Sequence, residues 1–117
     1  MWSGENKKVL EKHLQFTKER NWDQFQTPKN LCMALSVEAS ELLELFIWLN
    51  EKQAMELNES TMQAAEEEVA DVFIYLLRIA HVLGIDPVKA ANKKMKKNAQ
   101  KYPIEIGQEL ARKLQAG

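Results

Sequence analysis

Glu38-Ala39-Ser40-Glu41 and Glu68-Val69-Ala70-Asp71 each set two acids three residues apart, which on a helix puts both carboxylates on one face. Both pairs also fall where core residues belong. The first lies in the 3-4 spaced series Leu31, Ala34, Glu38, Glu41, Leu45, Trp48. The second lies in Ala64, Glu68, Asp71, Tyr75, Val82, with Arg78 between the last two. Acids on such stripes are expected to be buried or half-buried, and an uncompensated buried carboxylate costs several kcal/mol. Four of them converging on one place call for a positive partner. A hard divalent cation with oxygen ligands is the simplest one.

The rest of the chain is compatible with that site. Its 117 residues suit one domain, with a core over about residues 4–103 and a short tail over 104–117. A formal net charge of -1 gives no overall attraction to nucleic acid or an anionic membrane. Locally the charge is divided. Glu38 to Asp71 holds ten acids and one base, Lys52, whereas Lys89 to Lys101 holds six lysines and no acid. An acidic centre followed by a basic helix suits a metal site with an anionic ligand, although solvated faces of opposite sign give the same pattern. Cys32 is the single cysteine, which excludes an internal disulfide and a cysteine-based zinc site, and its apolar setting predicts a buried thiol. The polar start and the short apolar run Leu42 to Leu49, broken by Glu44, lead to the expectation of a cytoplasmic protein with no membrane partner.

Helical spacing runs throughout and strand alternation is nearly absent, so the fold class expected is all-α. A first helix is expected from Gly4 to Asn21. A second starts at Thr27-Pro28 and reaches Asn50, with the threonine as cap and the proline in the first turn. After a polar connection over 51–59, Ser60 or Thr61 caps a third helix that stops at Gly84. Asp86-Pro87 opens a fourth, ending before Pro103, and Leu110 to Leu114 form a short amphipathic stretch. The second and third helices each carry an additional apolar seam: Leu35, Ala39, Leu42, Phe46, Leu49 and Ala65, Val69, Val72, Leu76, Ile79, Leu83. Two seams on one helix predict a four-helix bundle that also buries a face in an oligomer.

The candidate chemistry is narrow. His13 and His81 are the only histidines, and no Ser–His–Asp arrangement is suggested. A di-iron carboxylate bundle needs Glu-x-x-His on two helices, which neither acid motif supplies. Magnesium, with manganese as a substitute, prefers oxygen ligands and leaves positions open for phosphate oxygens.

Taken together with further blocks, the acid motifs resemble the MazG-like, all-α nucleoside triphosphate pyrophosphatases. Phe16-Thr17-Lys18-Glu19-Arg20-Asn21-Trp22-Asp23-Gln24-Phe25, then Pro28-Lys29-Asn30-Leu31, and later Lys94-Met95-x-x-Asn98-x-x-Lys101-Tyr102-Pro103 are similar to the dCTP pyrophosphatase branch. The resemblance spans about residues 9–103. It implies a magnesium-dependent hydrolase that cuts between the α- and β-phosphates of a deoxynucleoside triphosphate, working as a homotetramer with sites near subunit contacts. It implies Glu38, Glu41, Glu68 and Asp71 as metal ligands, one of them orienting the attacking water. Lys94, Asn98, Lys101 and Tyr102 would reach the phosphates and sugar, and His13, Trp22, Trp48 and Tyr75 would surround the base and sugar. Lys101 stands where the family usually has arginine, losing the bidentate fork, and Gln26 stands where a histidine is common. Both changes bear on the substrate. Alternatives are a broader or dUTP-directed pyrophosphatase with the same machinery, and a helical module that senses nucleotide or metal without turnover. Each named side chain also has an ordinary role: His13, Trp22 and Trp48 as packing residues, Tyr75 as partner of a neighbouring carboxylate, and Glu44, Glu66, Glu67, Lys93, Lys96 and Lys97 as solvated charges.

Overall fold

The computed structural model describes residue 2 and residues 4–116 and contains helices and turns with no strand among them. The helices are α1 (Gly4–Glu19), α2 (Pro28–Glu44), α3 (Glu51–Met55), α4 (Glu59–Val82), α5 (Pro87–Lys101) and α6 (Ile104–Ala116), with a 3-10 turn at Asp23–Phe25. The all-α expectation holds. Two compact units divide the chain, Met1–Ile85 and Asp86–Gly117. In the first, α4 packs against both α1 and α2. The second consists of α5 and α6. No helix of the described residues is long and apolar enough to cross a membrane.

Local chemistry explains the boundaries. Thr27 caps α2 by accepting from the Asn30 N–H, with Pro28 in the first turn. Asp86 caps α5 by accepting from the N–H groups of Val88 and Lys89, again followed by proline. Two helices end in left-handed residues. Asn21 (φ 58) closes α1, with Trp22 N donating to Thr17 O at 2.8 Å and Asn21 N to Lys18 O at 3.1 Å. Gly84 (φ 70) closes α4, with Ile85 N donating to Ala80 O at 2.8 Å and Gly84 N to His81 O at 3.1 Å. Both are the paired bonds that satisfy the last carbonyls of a helix.

Several boundaries differ from expectation. The second helix ends at Glu44 rather than Asn50. Beyond it the bonds shorten to three-residue steps, as in Leu45 N to Leu42 O and Phe46 N to Leu43 O. The cause is Asn50, which adopts an extended backbone and forms a reciprocal capping box with Gln53 to start α3. The cap of α4 is Asn58, whose Oδ1 accepts from Thr61 N at 2.8 Å; asparagine there leaves Ser60 and Thr61 inside the helix. The tail forms a full helix, α6, although Gly107 lowers its propensity.

Leu10, Leu31, Ala65, Leu77 and Ala80 make the buried apolar core. Cys32, expected inside, is exposed: Leu31 takes the inward position on α2, and one helical step of about 100° turns the next side chain away. The second seam of α4 is only partly covered. Ala65 is buried and Val72 and Ile79 half-buried, while Val69, Leu76 and Leu83 are exposed. Leu31→Ala should therefore lower unfolding stability by about 2–5 kcal/mol, whereas Cys32→Ala should change it by less than about 0.5 kcal/mol; denaturant titration of the two variants checks the contrast.

Candidate metal centre and adjoining cavity

Two helices build the acid cluster. Glu38 and Glu41 come from successive turns of α2 and Glu68 from the neighbouring α4. One carboxylate oxygen from each lies within 4.8 Å of the others. Glu38 and Glu68 are half-buried, and each leaves an Oε2 that is buried without a hydrogen-bond partner. Glu41 is exposed, contrary to the expectation that it would be buried or half-buried. Asp71, one turn on from Glu68, is half-buried. It stands outside the three-way grouping, yet its charge is felt there.

That field is visible at Glu38, whose carboxyl is pushed up to about 7. A shared hydrogen bond with Glu68 is the main cause, followed by burial and then by Glu41 and the charge of Asp71. Tyr75, a turn beyond Asp71, has its phenol pushed upward by burial first and by the charges of Glu38 and Asp71 next. An all-oxygen donor set with orphaned buried oxygens, under mutual repulsion, is what a hard divalent cation satisfies. The residues present fit such an ion.

A cavity of about 380 Å³ opens beside this cluster, lined by Val9, Lys12, His13 and Phe16 of α1 and by Asp71, Ile74 and Tyr75 of α4. Its aromatic groups form a chain. His13 meets Tyr75 edge-on at 6.3 Å and lies nearly parallel to Phe16 at 6.3 Å, and Phe16 meets Trp22 edge-on at 5.6 Å. The structure thus brings Asp71, Tyr75 and His13 to one cavity, with Trp22 reaching it through Phe16. Trp48 does not line it. It lies beyond the end of α2 and is 89% exposed. Lys94, Asn98, Lys101 and Tyr102 belong to α5 and its C-cap in the second unit. There Tyr102 N donates to Asn98 O at 2.8 Å, and Lys101 Nζ sits 5.3 Å from the Tyr102 ring centre.

Sequence reasoning missed the lining of this cavity by Val9, Lys12, Phe16 and Ile74. It also missed Arg78, which is buried and donates to Thr17 Oγ1 at 3.0 Å. A signal was present: an arginine on a core stripe and a threonine on the apolar face of the first helix each need a polar partner.

The Glu38 shift has a pH consequence. Between about 4.5 and 7 the folded protein holds a proton at Glu38 that the unfolded chain has lost. Metal-free stability from this group is therefore present at low pH and lost as pH rises through that window. Glu38→Gln should melt close to wild type at pH 5 and several degrees above it at pH 8, both without metal. Equal offsets at the two pH values in scanning calorimetry would contradict the assignment.

Comparison with known proteins agrees with this architecture. The MazG-like family model matches residues 33–116. A dCTP pyrophosphatase 1 of Rattus norvegicus is 40% identical over 98 residues, covering 80% of this chain and 56% of its own. The Homo sapiens dCTP pyrophosphatase 1 is 37% identical over 103 residues, covering 86% and 61%. The chain thus spans little more than half the length of these relatives. A crystal structure of a pyrophosphatase from Archaeoglobus fulgidus superposes with a TM-score of 0.80 at 39% identity, covering 86% of this chain and 94% of that one. With its acid pairs on adjacent helices and most of its length matched, the chain belongs to the MazG-like family.

Proposed function

We propose that this protein is a magnesium-dependent nucleoside triphosphate pyrophosphohydrolase that converts dCTP, or a modified dCTP, to dCMP and pyrophosphate, and so cleans the cytoplasmic nucleotide pool. The observation that carries the reading is the carboxylate cluster of Glu38, Glu41 and Glu68 beside a cavity shared by Asp71, Tyr75 and His13. The similarity to dCTP pyrophosphatases and to an archaeal pyrophosphatase supports the reaction class.

Glu38, Glu41, Glu68 and Asp71 would hold magnesium. The chemistry that ion supplies is neutralisation of phosphate charge and acidification of water. The chain's own groups do the rest. A carboxylate oxygen of the cluster accepts the proton of the water that attacks the α-phosphorus, as the bond to the bridging oxygen breaks and pyrophosphate leaves. Tyr75, kept protonated by its surroundings, donates to sugar or phosphate oxygens. Phe16 and His13 offer flat faces against which a base can stack, and Trp22 backs Phe16. Lys94, Asn98, Lys101 and Tyr102 are assigned to phosphates and sugar by their motif.

Incubation with each nucleoside triphosphate and magnesium, followed by chromatography, tests the reaction. The expected products are dCMP and pyrophosphate, none forms in excess EDTA, and Asp71→Asn slows turnover by ~100-fold. Orthophosphate as sole product would mean that the wrong bond was assigned. A higher kcat/KM for dATP or dGTP would remove the cytosine preference but keep the pyrophosphatase.

The apolar surface bears on assembly. Met62, Val69, Phe73, Leu76 and Leu83 fall on one side of α4 and are exposed, more than a monomer usually leaves to water. The reading includes a homotetramer that covers this face, in which the exposed Trp48 is available to a neighbouring subunit. Light scattering should give about four times the 13.5 kDa chain mass, and Phe73→Glu should lower it. A monomer at micromolar concentration contradicts the assembly.

A further inference from the structure

Arg78 is 5% exposed, a cation set among the core residues Leu77 and Ala80. Its partners come from elsewhere in the first unit. Nη2 lies 3.6 Å from Asp23 Oδ1, and Nη1 donates to Thr17 Oγ1 at 3.0 Å. The Thr17 hydroxyl in turn donates to Asp23 Oδ1 at 2.8 Å. Asp23 is brought there by the left-handed closure at Asn21, which turns the chain back beside Thr17. A network of this kind can be purely structural, joining α1 and its following turn to α4. One contact goes beyond that role: Nη1 also faces His13 Nδ1 at 3.4 Å, and His13 lines the cavity.

Arginine remains protonated in proteins, and its guanidinium has donors but no acceptor. A ring nitrogen that meets it must carry no proton. In a neutral imidazole the proton then resides on the other nitrogen. Burial first, and the Arg78 charge second, also hold His13 below the usual histidine range, which favours the neutral ring.

We propose that Arg78 is a positioning residue that locks His13 in the neutral Nε2–H tautomer, so that the imidazole offers a hydrogen-bond donor to a base in the cavity between α1 and α4. Cytosine presents an unprotonated N3 beside O2, both acceptors, where uracil presents an N3–H donor. A fixed donor at His13 favours the cytosine edge, since a donor facing a donor in a buried site is penalised. The preference rests on the nucleotide reading above; the tautomer does not.

Long-range proton–nitrogen NMR of the 15N-labelled, metal-free full chain separates imidazole tautomers directly. The chain has two histidines, so His81→Gln assigns the signals. His13 should show a protonated Nε2 and an unprotonated Nδ1, while the exposed His81 should show averaging of both tautomers. Averaging at His13, or an Nδ1–H form, overturns the lock, and because this needs only wild type and a substitution at the exposed His81, misfolding of an Arg78 variant does not matter. In Arg78→Met, His13 should begin to average, and Arg78→Gln, which keeps an N–H donor, should restore part of the pattern. The ratio of kcat/KM for dCTP over dUTP should fall about 3- to 10-fold in Arg78→Met, through KM with kcat nearly unchanged. An equal loss for both nucleotides would mean that Arg78 only supports the fold. If neither nucleotide is turned over by wild type, the cytosine preference falls, and the spectrum alone judges the tautomer.

Discussion

Carboxylates from α2 and α4 are held within 4.8 Å of one another on a seam where the two helices pack. Like charges so placed oppose folding, and the protein meets part of that opposition by retaining a proton at Glu38 up to about pH 7. The rest of the first unit has to be rigid enough to hold the cluster together. Leu31, one helical face with Glu38 and 2% exposed, and Leu77 of α4, also 2% exposed, are the packing that does so. On the proposed reading, a cation bound there would relieve this repulsion, and its affinity would then depend on how firmly the scaffold holds the acids together.

A second polar system ties α1 to α4. The left-handed turn at Asn21 returns the chain so that Asp23 meets the Thr17 hydroxyl, and Arg78 of α4 reaches both. It places α1 relative to α4 by directional bonds where the core is thin. His13, which lines the cavity between these helices, meets that network through Arg78. The placement of His13 beside Tyr75 follows from that arrangement, and under the proposed function it would let the site read a base edge as well as stack on it.

Much of this was legible in the residues. The helical spacing, the Thr27-Pro28 and Asp86-Pro87 starts and the stop at Gly84 all rest on local backbone chemistry, which sequence carries directly. The acid pairs were legible for the same reason, since three-residue spacing is a property of the helix itself. What failed were features decided between segments. The end of α2 at Glu44 depends on the capping box that Asn50 makes with Gln53 beyond it. The exposure of Cys32 and Glu41 depends on which side of α2 meets α4. Trp48 continued the stripe in sequence, yet it lies past the end of the helix that would have kept it there. Arg78 stood in plain view on a core stripe, but its partners lie 61 and 65 residues away, too distant for periodicity to find.

Manganese binding followed by electron paramagnetic resonance tests most directly whether the carboxylates form one cation site. The six-line signal of free hydrated manganese disappears on binding, so affinity is read without substrate or turnover. Wild type should bind manganese competitively with magnesium, and Glu68→Gln should weaken binding by about 10-fold or more. Affinity in Glu68→Gln equal to that of wild type would contradict a metal centre built from these acids.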